Sequence, residues 1–433
     1  MKHHAATTLR AMLVTLTAMF VLSIANAFAS QFTVLHNFLE KPAAYPDSGL
    51  IIGPDGGFYG TTGIQTAGVC LPKLCGDIFE IKQTSTGWEY RVIHRFHGSK
   101  ADGELPVGQL LFDSAGNLYG TTFSDGNSNT CGAQQHTDCG TVFELSPTSK
   151  GGWSEKVLYR FTHGTDGAYP TGNLVLDSAG NLFGTTLGGG SFNGNNCSLF
   201  GCGVVFELSP GASGWTEAVL HTFTGGSDGY TPRGLTPDTS GNLLGVAESG
   251  GTANSNCEAG CGTVFKLTPA AGGWSLSVIY SFSGGSDGGY PISPLVFDTQ
   301  GNLFGTTLLG GSVQCPNECG TVFELSPNGS GWNFSDVYSF SGPDGADPQG
   351  ILFDSAGNLF GAASGGKTTC GCGVLFELVP ASGNWTETVL YTFNGKSDGQ
   401  FPNPVIQDGA GHLFGTTANG GSDNFGTIFK FAP

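Results

Sequence analysis

Positive charge is scarce in this chain: 16 Lys and Arg face 34 Asp and Glu across 433 residues, for a formal charge of −18. Such a surface repels nucleic acid and anionic lipid, both of which need clustered Lys and Arg, so no nucleic-acid partner is expected. Beyond the N-terminus no apolar run approaches the roughly 18 residues needed to span a bilayer, which excludes insertion by helices. Amphipathic helical periodicity is missing as well, and a helical bundle is excluded with it. Glycine is abundant at 73 residues, yet it does not recur at every third position, so the chain is not collagen-like. No two pairs of Cys or His stand near enough in sequence to complete a four-ligand zinc site.

The N-terminal segment reads as a processing signal. Lys2 and Arg10 precede an apolar run from Ala11 to Ala25, followed by small-residue cleavage sites at Ala25-Asn26-Ala27 or Ala27-Phe28-Ala29. The expectation is a secretory signal peptide over residues 1–29 and a single domain over residues 31–433, secreted or periplasmic. No hydrophobic tail stands behind Phe431-Ala432-Pro433, so a soluble monomer is expected.

What the chain does have is one phrase written seven times. It reads Gly-Asn-Leu-Phe-Gly-Thr-Thr, a Gly-rich loop, Gly-Thr-Val-Phe-Glu-Leu, Gly-Trp, then Val-Leu-Tyr-x-Phe. The glycine of each Gly-Thr-Thr falls at Gly60, Gly120, Gly184, Gly245, Gly305, Gly361 and Gly415. A near-constant period of this size marks units that cannot bury their own faces and must stack on copies of themselves. Four strands are predicted per copy. In the second they are Gln109 to Phe112, Asn117 to Thr122, Thr141 to Leu145 and Trp153 to Phe161. Asp113-Ser114-Ala115-Gly116 forms the turn between the first two. Apolar residues point to both sides of the third strand, as at Val142-Phe143, which suits a sheet covered on both faces.

The last copy supplies three strands, Pro404 to Gln407, His412 to Thr417 and Thr427 to Phe431, and lacks a fourth. Residues Phe32 to Phe38 match that missing strand. An N-terminal strand completing the final sheet would close a ring, so the fold class is all-β: a seven-bladed β-propeller of four-stranded antiparallel blades, closed by the N-terminal strand. Closure also removes the open sheet edges that invite aggregation.

Twelve cysteines form six close pairs: Cys70/Cys75, Cys131/Cys139, Cys197/Cys202, Cys257/Cys261, Cys315/Cys319 and Cys370/Cys372. Each pair occupies the loop between the second and third strands of its copy. An even count in an exported chain predicts local disulfides. Cys370 and Cys372, with one residue between them, should be the easiest pair to reduce.

The run Asp-Ser-Ala-Gly-Asn-Leu-Phe-Gly-Thr-Thr together with Cys-Gly-Thr-Val-Phe-Glu-Leu resembles the GloVer tandem repeat of exported bacterial proteins, over essentially the whole mature chain. The resemblance implies a propeller-like repeat module of no assigned activity, often carried on a cell-surface anchor. No such anchor is visible here.

Catalysis needs singular groups in one place, whereas this chain repeats its polar residues blade by blade. His36, His94 and His221 fill the slot held elsewhere by Tyr159, Tyr280, Tyr338 and Tyr391, which predicts a packing position with a polar tip. Of the histidines outside the pattern, His97, His136 and His163 lie in no recognisable motif. Trp88, Trp153, Trp215, Trp274, Trp332 and Trp385 each open a fourth strand and read as plugs at blade edges. Glu80, Glu144, Glu207, Glu324 and Glu377 share a position with Lys266 and Lys430, which rules out a common acid catalyst.

One recurrent element carries a binding expectation. An Asp-Gly follows the fourth strand at Asp102, Asp166, Asp228, Asp287, Asp344 and Asp398, with aromatic-Pro pairs after several of them. In a propeller these turns open on the same face as the cysteine loops. Asp166, Asp228, Asp287, Tyr169 and Tyr290 are therefore the speculative ligand contacts, against the reading of Asp as a turn former. No cofactor is called for, and calcium is the metal such oxygen ligands would suit. The expected function is an exported, non-catalytic binding or scaffold module for a glycan or an extracellular protein. An extracellular polysaccharide lyase or hydrolase and a structural matrix protein are the alternatives.

Overall fold

The computed structural model describes residues 30–39, 44–63, 75–98, 102–124, 139–192, 197, 199–311, 319–329, 331–366 and 370–433. The expected signal segment lies outside them. Strands and turns alone make up the described residues, with no helix long and apolar enough to cross a membrane. Seven separate antiparallel sheets form the seven blades of a propeller. Blade two runs Glu104–Phe112, Leu118–Ser124, Thr141–Pro147 and Trp153–Arg160, its strands a to d.

Closure follows the expected route. Gln31–Asn37 pairs antiparallel with Thr427–Ala432, Phe32 opposite Phe431 and Asn37 opposite Thr427, as strand d of blade seven. Phe32 then stacks on Tyr391 of blade six at 4.0 Å. Across the join, Phe58 of blade one stacks on Phe414 of blade seven at 4.2 Å, within a core that also holds Phe38, Leu50, Phe79 and Ile428.

The repeated phrase is explained by what packs between blades. The Phe that ends strand d meets, edge-on, the Phe of strand c in the next blade: Phe96 on Phe143 at 5.3 Å, Phe161 on Phe206 at 5.1 Å and Phe393 on Phe429 at 5.4 Å. Such pairs contribute about 0.5–1.5 kcal/mol each beyond their buried area. The second Thr of Gly-Thr-Thr is fully buried and bonds the Thr that opens strand c, at 2.8 Å for Thr122 and Thr141, so a buried hydroxyl keeps a partner. The tryptophans pack outward of this core against the strand b aromatic of the preceding blade, Trp153 on Tyr59 and Trp274 on Phe183. They are plugs between blades, as their placement predicted.

Strand a departs from expectation. It begins at Glu104 rather than Gln109 and its register shifts between Val107 and Leu111; in blade three it splits into Ala168–Pro170 and Val175–Leu176. The cause is an X-Pro pair, which lacks an N–H for the ladder, followed by glycine or proline. Past this break the residues of strand a line the central channel.

Candidate functional site

The residue before that proline adopts a left-handed backbone in every blade: Tyr45, Leu105, Tyr169, Thr231, Tyr290, Asp347 and Phe401, with φ between 51 and 58°. Non-glycine residues rarely hold this conformation, and it persists only where surroundings impose it. Here the backbone carbonyl of the preceding blade supplies the constraint. Tyr169 N donates to Cys139 O at 2.9 Å and Tyr290 N to Cys261 O at 2.7 Å. The cysteine loops and the d-to-a turns therefore meet on one face. Cys197–Cys202, Cys257–Cys261 and Cys370–Cys372 are disulfides, and Cys75, Cys139 and Cys319 are also bridged. Cys70, Cys131 and Cys315 lie outside the described residues. Bridges of this kind fit an oxidising compartment.

The recurrent aspartates are bound within their own turns. Asp166 accepts from Thr162 N at 2.8 Å, Thr162 Oγ1 at 2.7 Å, Gly164 N at 3.2 Å and Tyr159 Oη at 3.2 Å. Asp287 receives the same set from Ser283, Gly285 and Tyr280, and Asp228 binds His221 and Thr224. Thus Tyr159, His221, Tyr280, Tyr338 and Tyr391 of strand d each hydrogen-bond the aspartate of the next turn, two features read separately in the sequence, whereas in blade one the turn aspartate Asp102 bonds His97 and not His94. Burial, then the Asp166 charge, raises the Tyr159 phenol above its ordinary range. Among the described residues no three His, Cys, Asp or Glu cluster as a metal site would require. The histidines outside the pattern take local partners: His97 pairs with Asp102 at 3.2 Å and His163 reaches Phe200 O at 3.2 Å, while His136 lies outside the described residues.

Of the two candidate tyrosines, Tyr290 packs against the core between blades four and five. Tyr169 lines an open cleft of about 350 Å³ with Phe123, Leu187, Phe200, Tyr230, Thr231 and the Cys197 bridge. Phe123 stacks on Tyr169 at 4.9 Å, and His163 stands edge-on to Phe192 at 5.2 Å. Leu199, Phe200 and Phe192 are 81, 50 and 37% exposed, so an apolar patch surrounds the cleft rather than being buried by it.

Phe123 and Leu187 also line the channel mouth, a cavity of about 940 Å³ at the centre of the ring. The residue after each X-Pro proline faces this mouth: Asp47, Val107, Thr171, Arg233, Ile292, Gln349 and Asn403. Arg233 Nε donates to Glu248 at 2.6 Å, and Gln349 Nε2 to Ser364 Oγ at 3.0 Å. Asp47 is open to the channel yet enclosed by protein, and that burial raises its carboxyl above the ordinary range. Sequence reasoning passed over these seven positions. Their signal was available: a slot that holds seven different residues in a chain that otherwise repeats itself.

A search of curated proteins finds no match. Among solved structures, an ulvan lyase bound to a GlcA–Rha3S saccharide aligns at 10% identity with a TM-score of 0.49, over 89% of this chain and 94% of that one. A Thermus thermophilus protein described as a glucose dehydrogenase aligns at 14% and 0.43, over 93% and 100%. A protein described as a gluconolactonase aligns at 13% and 0.38, over 76% and 88%. These likenesses are too distant to carry any activity across. The family model described as the Gloeobacter/Verrucomicrobia repeat, in contrast, matches residues 18–257 and 251–433, nearly the whole chain. The chain belongs to the Gloeobacter/Verrucomicrobia repeat family.

Proposed function

We propose that this protein is an exported, non-catalytic binding module that captures carbohydrate on its loop face. The observation that carries the reading is the aromatic cleft of Phe123, Tyr169, Phe200 and Tyr230. Its volume falls in the range of about 300–1,000 Å³ common to ligand sites, and flat apolar walls edged by a few polar groups are the usual lining of such sites. Aromatic faces suit the apolar C–H face of a sugar ring, and Thr231, Tyr169 and Tyr230 bring hydroxyl-bearing side chains to the same lining. Rigid strands and a disulfide hold these groups in place before any ligand arrives, which limits the ordering cost of binding.

The test is a glycan array probed with the mature chain, with and without calcium, followed by calorimetry on Phe200→Ala and Tyr169→Ala. The reading expects saccharide binding without turnover, weakened by about tenfold or more in the variants. Release of shortened or unsaturated sugars would replace it with the extracellular enzyme. Retention of extracellular proteins but no glycan would make the cleft a protein-binding surface.

A further inference from the structure

We infer that the cleft and the channel mouth are one composite site, which takes an oligosaccharide of more than one residue rather than a single sugar. The inference rests on the carbohydrate reading and adds to it the length of the ligand and the residues that select it.

Continuity is the first support, since Phe123 and Leu187 belong to the walls of both cavities. A ring stacked in the cleft therefore sits beside the mouth, with Phe123 and Leu187 common to both walls. Chemistry is the second. The cleft is walled by Phe123, Leu187, Phe200 and Tyr230, whereas the mouth carries polar side chains from most blades, among them Asp47, Gln109, Thr171, Asn173, Gln349 and Asn403. The amide N–H groups of Gln349 and Asn403 donate to protein acceptors, so their side-chain oxygens and the Asp47 carboxylate are what they offer to ligand hydroxyls. Stacking at one end with hydrogen bonds at the other is the demand of a ligand that is apolar on its ring faces and polar at its edges.

Variation within the chain is the third support. The framework positions hardly change: the glycine of Gly-Thr-Thr and the strand c Phe recur in all seven blades. Two slots do change, one that lines the mouth in every blade and one beside it that reaches the mouth at Phe123 and Leu187. After the proline stand Asp47, Val107, Thr171, Arg233, Ile292, Gln349 and Asn403, and Gly-Thr-Thr or its equivalent is followed by Gly63, Phe123, Leu187, Glu248, Leu308, Ser364 and Ala418. Where both slots are polar they are already bonded, as Arg233 to Glu248 and Gln349 to Ser364. Packing needs would have kept one residue type in equivalent places of equivalent blades. Divergence at the cavity wall above a constant glycine and phenylalanine framework is what recognition of an asymmetric ligand requires.

The decisive experiment titrates the mature chain with cello-, chito-, malto- and xylo-oligosaccharides, each from the monosaccharide to the hexasaccharide, by calorimetry. Wild type is compared with Phe200→Ala in the cleft and with Asp47→Asn and Gln349→Ala at the mouth, each checked for an unchanged melting temperature. The composite site predicts affinity that rises with length over the first few residues. The mouth variants should remove that gain, about tenfold or more, and leave monosaccharide affinity intact, whereas Phe200→Ala should weaken every length. Saccharide binding with no length dependence, or with mouth variants indistinguishable from wild type, overturns the composite site and leaves the cleft reading standing. Absence of binding across these series and the array overturns both.

Discussion

Gly245 lies beneath the ring of Phe265, so close that a Cβ on the glycine would meet the phenylalanine Cζ at 2.6 Å. The same relation holds in the other blades, at 2.6 Å for Gly60 and Phe79 and 2.4 Å for Gly361 and Phe376. The glycine at the centre of the repeat is thus kept by a neighbour's bulk, since its own backbone is ordinary extended strand. Gly245→Ala should push Phe265 off its edge-on contact with Phe223 and destabilise the ring by about 1–3 kcal/mol. Thermal melting measures this directly; an unchanged midpoint would show that the core has slack where the packing shows none.

The closing strand contributes both pairing and stacking. Removing residues 31–38 should expose the edge of Thr427–Ala432 and leave Tyr391 without its stacked partner Phe32. The truncated chain is expected to melt earlier and to self-associate through the bared edge. Light scattering together with circular dichroism checks both outcomes, and a monomer of unchanged stability would refute the closure role.

Asp166 separates a structural from a ligand-binding role. Its four hydrogen bonds lie within one turn and its own blade, so Asp166→Ala should lower stability by about 1–3 kcal/mol through the donors left unpaired. Saccharide affinity of the folded fraction should stay the same. The converse pattern, weaker binding at constant melting temperature, would make the aspartate a ligand contact.

Three glutamates at blade junctions give the stability a pH dependence. Burial, then the charge of a nearby aspartate, lifts Glu155, Glu217 and Glu387 to about 7, with Asp102, Asp166 and Asp344 as the respective neighbours and Arg160 opposing at Glu155. In the unfolded chain they ionise near the ordinary value of 4.5. Between those values the folded state holds protons that the unfolded state has lost, so their contribution to stability falls as pH rises from about 4.5 to about 7 and then levels. His36 and His94, which burial keeps neutral down to about 4, act in the opposite direction. The comparison is therefore made with the triple variant Glu155→Gln, Glu217→Gln and Glu387→Gln. Its stability relative to wild type should improve steadily across that window, and parallel curves would refute the assignment.

Much of this architecture was legible because a repeat reports its own constraints. Six near-equal spacings, seven turn signals and a spare N-terminal strand were enough to predict the blades and their closure. The start of strand a was misjudged because X-Pro breaks a ladder locally, and only the neighbouring blade's carbonyl at Cys139 or Cys261 reveals that the left-handed residue is held there. Of the candidate site residues, Tyr169 and Tyr290 are both half-buried against the core of a blade junction, and Tyr169 in addition lines the cleft. Equivalent positions in sequence diverge here because their loops differ, and loops decide what stays uncovered.

The amino-acid sequence by itself determined the all-β class, the seven-fold count, the cysteine pairing slots and the closing strand, since each follows from local periodicity and turn chemistry. Tertiary structure alone decided that Phe123 and Leu187 join a cleft to a channel, that the strand d tyrosines bond the turn aspartates, and that seven unlike residues face one mouth. Those relations run between residues many positions apart or in separate blades, and only the curvature of the closed ring brings them within reach of one another.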